Sequence, residues 1–366
     1  MHPDAPRATR YRIGSIADLV DRQMGRYGDK PFLTWYDDDR GERVELSYRT
    51  FENWTAKVAN LLVEEVGAGP GDRVATVLGG HWRAAAIAFA CWRAGACLLP
   101  VDVDASAEAV AARLGTSGCK VAFVGDWRLG GVAERLGREP GRPALVAVAA
   151  GLLGSPRASR TPGDPGASRT PGDPGASRTA GDPGASRTAG DPGALDFSSA
   201  VPGMGDMFDG DASSTSDDAL LPGDGRGGPL TQGELLAWGA DTAAWLGLGD
   251  GDRVLAGLPA HRALGTVTGL VAPFLAGAGV VVEQAFRPVA FWKRVADERV
   301  AVAVLTGDQV EALLGDESGA APGLDLGRLR TVACDLDRVP GPLARTWEHR
   351  FGIPLSPIPA REQPPP

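Results

Sequence analysis

Apolar and polar positions alternate along this chain in two periods, one helical and one extended. Phe51, Trp54, Val58, Leu61 and Leu62 recur at helical spacing and share one face of a helix that ends near Val66. The run Gly67-Ala68-Gly69-Pro70-Gly71 stops it, because glycine frees the backbone and proline removes an N–H. Gly71-Asp72-Arg73-Val74 then opens a short buried strand through Ala75, Val77 and Leu78. Trp82 to Arg93 is predicted as a crossover helix and Leu98 to Val101 as the next strand. A helix from Ala107 to Leu114 and a strand from Lys120 to Val124 follow.

The same punctuation returns later in the chain. Gly251-Asp252-Arg253-Val254 opens a second strand, and His261 follows Val254 by seven positions, as His81 follows Val74. Each segment runs through small residues to an Ala-Gly-Ala turn, at Ala94-Gly95-Ala96 and at Ala276-Gly277-Ala278, and then to an apolar strand. Val300 to Leu305 and Leu329 to Ala333 add two more short apolar runs. Two βαβ units with matching punctuation predict an α/β protein of two related parallel-sheet subdomains.

Between them lies a nine-residue repeat. Ala-Ser-Arg-Thr begins at Ala158, Ala167, Ala176 and Ala185, each time followed by (Pro/Ala)-Gly-Asp-Pro-Gly. Units without a large apolar residue cannot offset their chain entropy by burial. The predicted division is therefore a first subdomain at 1–151, a disordered linker at 152–218, a second subdomain at 219–353 and a frayed proline-rich tail at 354–366.

Composition narrows the class. A net charge of −9 argues against a nucleic-acid partner. The stretch Leu264 to Val282 has no charged residue over 19 positions, but its four Gly and Pro273 suit a helix, a turn and a buried strand better than a membrane span. No apolar signal segment opens the sequence, and Cys91, Cys97, Cys119 and Cys334 lack metal-ligand spacing. Buried thiols in a reducing, cytoplasmic protein and no metal site are the expectation.

Several segments carry a family resemblance. Leu46-Ser47-Tyr48 with Phe51, Val58-Ala59-Asn60-Leu61-Leu62, Gly71-Asp72-Arg73-Val74, Ala94-Gly95-Ala96-Cys97 and Pro100-Val101-Asp102 occur in that order. Beyond the repeat come Asp252-Arg253-Val254-Leu255, Leu258-Pro259-Ala260-His261 and Pro273-Phe274-Leu275-Ala276-Gly277-Ala278. Leu329-Arg330-Thr331-Val332 and Trp347 to Gly352 complete the series. Together they resemble the large N-terminal domain of the adenylate-forming (AMP-binding, acyl-CoA synthetase-like) superfamily. Thr34-Trp35-Tyr36-Asp37-Asp38, Gly41 to Ser47 and Asn53 to Lys57 further resemble a family of short actinobacterial AMP-binding-like proteins with no assigned reaction.

That resemblance implies a test of the chemistry. Adenylation in the superfamily uses a Ser/Thr/Gly-rich phosphate loop ending in Lys-Gly, a magnesium carboxylate, a ribose-binding Asp and a C-terminal Lys. The matching loop, Leu220 to Thr231, offers Gly223, Gly225, Arg226, Gly227, Gly228 and Thr231 as candidate nucleotide-binding residues. Its Ser/Thr cluster is gone, and Asp224 would repel a phosphate. Ser213 to Ser216 precede the predicted strand and so sit on its wrong side. Phe351-Gly352-Ile353-Pro354 should lead into Tyr-Gly-x-Thr-Glu but leads into Ser356-Pro357. Thr306-Gly307-Asp308 looks like the ribose-binding triplet, yet it follows the strand ending at Leu305 and comes too early.

His261 is the surviving catalytic candidate, since the superfamily places a His here beside the acyl pocket. The expectation is a degenerate, truncated family member with no C-terminal small domain and no cofactor, binding a small acyl or nucleotide ligand or a protein partner. The alternative is a divergent or split ligase that activates a carboxylic acid with ATP and magnesium. A decayed protein without activity is a third reading.

Overall fold

The computed structural model describes residues 14–137, 141–151, 194–209, 213–225, 227–316, 324–336 and 340–359. The described residues form fourteen strands. They are β1 (Pro31–Asp37), β2 (Glu42–Ser47), β3 (Arg73–Val77), β4 (Cys97–Pro100), β5 (Cys119–Gly125), β6 (Ala144–Val148) and β7 (Leu195–Asp196). The rest are β8 (Asp218–Leu220), β9 (Leu230–Thr231), β10 (Arg253–Ala256), β11 (Gly279–Glu283), β12 (Val302–Leu305), β13 (Thr331–Cys334) and β14 (Leu355–Pro357). Two seven-stranded sheets result, ordered β7-β6-β5-β3-β4-β8-β9 and β14-β13-β12-β10-β11-β1-β2. Read side by side, these orders are the same arrangement twice. The two Gly-Asp-Arg-Val strands, β3 and β10, hold the same place, and each sheet has one antiparallel hairpin at its edge.

The hairpins do not belong to the halves in which the chain encodes them. β1–β2 lies before β3 in sequence but pairs in parallel with β11, Leu33 opposite Val280. β8–β9 lies beyond the repeat but pairs with β4, Leu98 opposite Leu220. The expected division at 151 and 219 therefore does not follow the sheets, because edge pairing joins strands across the repeat. Parallel edges need a partner of matching register, and sequence adjacency does not decide which hairpin supplies it.

The helix Trp82–Arg93 holds the two sheets together. Apart from half-buried Ala84, its residues are buried, which is the pattern of a helix enclosed on all sides. It touches β1 of one sheet and β3 and β4 of the other. Trp92 Nε1 donates to the Ala219 carbonyl at 2.8 Å, tying it to β8. Fully buried Gln232 donates to the Trp92 carbonyl (2.8 Å) and accepts from the Ile16 N–H (3.0 Å). Buried polar groups persist only when paired in this way.

Two further expectations change at their edges. Within the linker predicted at 152–218, residues 194–209 and 213–218 are described and structured. β7 pairs in parallel with β6, Asp196 accepts from the Ser198 N–H (3.0 Å) to cap a short helix, and Asn60 Nδ2 donates to the carbonyls of Gly205 and Met207 (2.9 Å each). Phe197 and Val201 drive this, since both are buried, and Phe197 stacks near Trp54 with centroids 6.3 Å apart. Two anchors one helical turn apart outweigh a polar neighbourhood. The repeats themselves lie outside the described residues. The tail expected at 354–366 begins instead as β14 on the edge of the second sheet, with Leu355 and Ile358 buried. An edge strand tolerates Pro357 because one side of its backbone is unpaired. Residues beyond 359 lie outside the described residues.

The uncharged run at 264–282 is a continuous helix with a π-helical turn at Val267–Val271, a left-handed Gly277 (φ 73°) and β11, as the pattern predicts. Among the described residues no helix is long and apolar enough to cross a membrane. The four cysteines are buried and free.

Phe197→Ala should lower unfolding stability by about 3–5 kcal/mol, read by denaturant titration. A loss below about 1 kcal/mol would return residues 194–203 to the linker.

Candidate functional site

Parallel strands end where loops can gather ligand-binding groups. Here the carboxyl ends of β3, β4, β10 and β11 open onto one cavity of ≈ 560 Å³ between the two sheets. That volume suits a small molecule. Its walls are mainly small or apolar, among them Ala84, Ala85, Ala88, Gly265, Gly269 and Leu270. Its polar rim comes from the loops after β4 and β10.

His261 lies on that rim. Its Nδ1 is 3.6 Å from Asp102 Oδ1, in the loop after β4, so the two halves of the molecule each supply one member of the pair. The His261 carbonyl accepts from the Gly223 N–H at 2.9 Å, which brings one predicted loop residue to the predicted histidine. Gly223 is required sterically. A Cβ there would fall 1.8 Å from the Pro100 carbonyl oxygen and 3.2 Å from His261 Cβ. Gly225 (φ 73°) and Gly227 (φ 83°) take left-handed turns that glycine permits.

The remaining loop candidates separate. Gly228 has open space around its α-carbon. Thr231 caps the helix Gln232–Trp245, its hydroxyl accepting from the Glu234 N–H (3.2 Å) while the Glu234 carboxylate accepts from the Thr231 N–H (2.9 Å). Arg226 lies outside the described residues. Thr306 likewise caps the helix Gly307–Gly315 through a reciprocal box with Gln309, which accounts for the Thr-Gly-Asp triplet by local hydrogen bonding.

Asp102 was missed as a site residue. In the sequence it reads as the last residue of a Pro-Val-Asp turn, and nothing local signals a histidine 159 positions away. Trp127 and Arg128, after β5, were missed for the same reason; both line the cavity, and Trp127 is half exposed. Glu283, at the end of β11, also lines it. Burial pushes the Glu283 carboxyl up, against the pull of Arg294, whose Nε donates to it at 3.0 Å. Arg294 also binds Asp38 (2.7 Å) and lies 3.4 Å from the Tyr36 ring centroid. Among the described lining residues there are three carboxylates, Asp102, Asp104 and Glu283, one guanidinium, Arg128, and no lysine. Among the described residues no group of three or more His, Cys, Asp or Glu could hold a metal ion.

The twin of His261 behaves differently. His81 is buried against Trp35, ring centroids 4.9 Å apart, and its Nδ1 accepts from the Arg83 N–H (3.0 Å) to cap the helix Trp82–Arg93. Burial, with neighbouring Arg83 second, lowers its ionisation to about 3. An unfolded histidine titrates near 6.5, so between these values the unfolded chain binds a proton that the folded chain refuses. The resulting stability is complete above about pH 6.5 and declines as pH falls toward 3. Chemical denaturation should show the protein losing roughly 2 kcal/mol between pH 7 and pH 5 from this group. His81→Asn keeps a capping acceptor and should flatten that slope; an unchanged slope would assign it to other groups.

Comparison with known proteins places this geometry. Residues 20–178 and 223–358 match the family described as AMP-binding enzyme. A Mycobacterium tuberculosis protein is 53% identical over 66 residues, 18% of this chain and 27% of that protein. The sulfoacetate–CoA ligase of Cupriavidus necator is 34% identical over 129 residues, 35% of this chain and 24% of the ligase. These matches thus span about a quarter of each relative's own length. Among solved structures, an acyl-CoA synthetase of Brucella canis superposes with a TM-score of 0.73 at 21% identity, covering 94% of this chain and 56% of the synthetase. An anthranilate CoA ligase in complex with anthranoyl-AMP gives 0.72 at 17% identity, covering 93% of this chain and 58% of the ligase. With the family profile spread over both halves of the molecule and the paired sheets superposing on these synthetases, the chain belongs to the AMP-binding enzyme family.

Proposed function

We propose that this chain is a non-adenylating member of the family, which holds a small acyl ligand in the cavity between the sheets and works as a binding or interaction module. The observation that carries the reading is how the loop from Gly223 to Thr231 is engaged. The Gly223 N–H donates to the His261 carbonyl, the Gly225 N–H to the Pro222 carbonyl (3.3 Å), and the Thr231 hydroxyl serves the helix cap. Three of the six candidate groups that would have to converge on phosphate oxygens are thus bound within the protein. The described residues do not fit a magnesium–triphosphate group. Phosphoryl and acyl-phosphate chemistry depends on placed positive charge, whereas the described residues of this cavity include three carboxylates and one guanidinium.

What the cavity can accept is a mainly apolar group with a polar end. The alanine and glycine walls leave room for an acyl or aromatic body. The His261 imidazole, 3.6 Å from Asp102, offers a hydrogen bond to the carbonyl or carboxylate end. A second reading is favoured by the superposition on a ligase that holds an acyl-adenylate. In it the chain is a divergent ligase, complete or sharing a domain with another chain, in which Arg226 carries the charge of the phosphate loop and ATP with magnesium activates a carboxylic acid.

ATP–pyrophosphate exchange measured across fatty, aromatic and amino acids separates the two. Exchange at background, together with a melting temperature raised by one acid class and not by ATP, is the expected result. His261→Ala should weaken that acid's effect by about tenfold, on the order of 1.4 kcal/mol. Exchange above background that Arg226→Ala abolishes would establish the ligase instead.

A further inference from the structure

A second cleft, of ≈ 380 Å³, opens where the helix Pro288–Asp297 turns into β12, and it shares no residue with the cavity. Four arginines line it: Arg43, Arg253, Arg299 and Arg328. Two of them are neutralised. Arg43 pairs with Glu45 (2.6 Å) and Glu298 (3.1 Å), and Arg253 pairs with the same two carboxylates. Asp297, also on the rim, pairs with Lys293. Arg299 and Arg328 are exposed, and neither has a carboxylate or hydrogen-bonding partner for its side chain among the described residues. Two unmatched guanidinium groups therefore share one cleft on a chain of net charge −9.

Arg299 also holds a conformation that arginine disfavours. With φ of 51° it is the sole non-glycine residue in the left-handed region among the described residues. It ends the helix Pro288–Asp297, with the Val300 N–H donating to the Val295 carbonyl at 3.0 Å. Glycine is the usual residue at that place in a helix terminus. The molecule's own other half shows this. Gly118 (φ 64°) ends the helix Ala107–Ser117 three positions before Val121, and Val121 pairs with Val74. Arg299 stands three positions before Val302, and Val302 pairs with Val254 in the same way. An exposed, strained arginine thus lines this cleft where the twin has glycine.

We infer that this cleft is an anion site, with Arg299 and Arg328 binding a small phosphate-bearing ligand. Two forked guanidinium groups match the charge and the oxygen geometry of a phosphate dianion. This site is independent of what the cavity holds.

The test is thermal and calorimetric titration of the whole chain with inorganic phosphate and with pyrophosphate at low ionic strength, using chloride at matched ionic strength as the control. A saturable rise in melting temperature with either phosphate, absent with chloride, is expected. Arg328→Ala should weaken binding at least about tenfold. Arg299→Gly should do the same while raising the ligand-free melting temperature by about 2 °C, because glycine accepts the left-handed turn. A variant that gains stability and loses binding cannot be dismissed as misfolded. An Arg299→Gly protein that still binds phosphate like the parent would make Arg299 a helix terminus and nothing more. A parent protein that responds to chloride and phosphate alike, or to neither, would remove the site.

Discussion

Everything in this molecule depends on an aromatic contact between the two halves. Phe32, on β1, packs edge-on against Phe51 (4.7 Å between centroids) and Phe274 (4.9 Å), and Phe89 packs on Phe274 at 4.7 Å. These four rings come from the hairpin, from the helices Tyr48–Asn60 and Trp82–Arg93 of the first half and from the helix before β11, and all are buried. Burying each contributes about 1.5–3 kcal/mol, and well-placed ring pairs add about 0.5–1.5 kcal/mol. The cluster docks β1–β2 onto a sheet whose other strands lie more than 200 positions further along the chain. The Tyr48 hydroxyl, donating to the Ala278 carbonyl at 3.0 Å, closes the same junction. With the hairpin held there, the carboxyl ends of both sheets face one cavity.

The internal repeat of the fold supplies its own controls. The same signature, Gly-Asp-Arg-Val with a histidine seven positions beyond the valine, folds into the same strand and turn twice. Its histidines then diverge by what surrounds them. Trp35 and Trp82 enclose His81 and hold it neutral, so it serves the fold. His261 is followed by Arg262, which turns to Asp335, and the imidazole is left at the cavity rim beside Asp102. Divergence at Arg299 against Gly118 follows the same logic on another face. In each pair the backbone need is shared, and the side chain departs from it.

Much of the candidate site was legible because its backbone demands are local. A glycine at Gly223, Gly225 or Gly227 announces a turn or a close approach, and His261 announces the end of a strand. Their partners were not legible. Asp102 looks like any turn aspartate until the sheets are assembled, and Thr231 reads as a phosphate ligand as easily as a helix cap. Only the capping box with Glu234 decides between those two. Phe197 and Val201 were hidden for a different reason, since a few apolar residues in a long polar tract do little to its average composition.

What the sequence determined by itself was the set of elements and their repetition: hydrophobic period, glycine punctuation and the twin Gly-Asp-Arg-Val strands depend on neighbours within a few residues. Tertiary structure alone decided which sheet each hairpin completes, which loop glycines meet His261, and which arginines are left without a partner. Those outcomes depend on edge pairing and contacts between segments far apart in the chain. Local propensity carries no term for such distances, because the free energy that selects them appears only when the two halves close on each other.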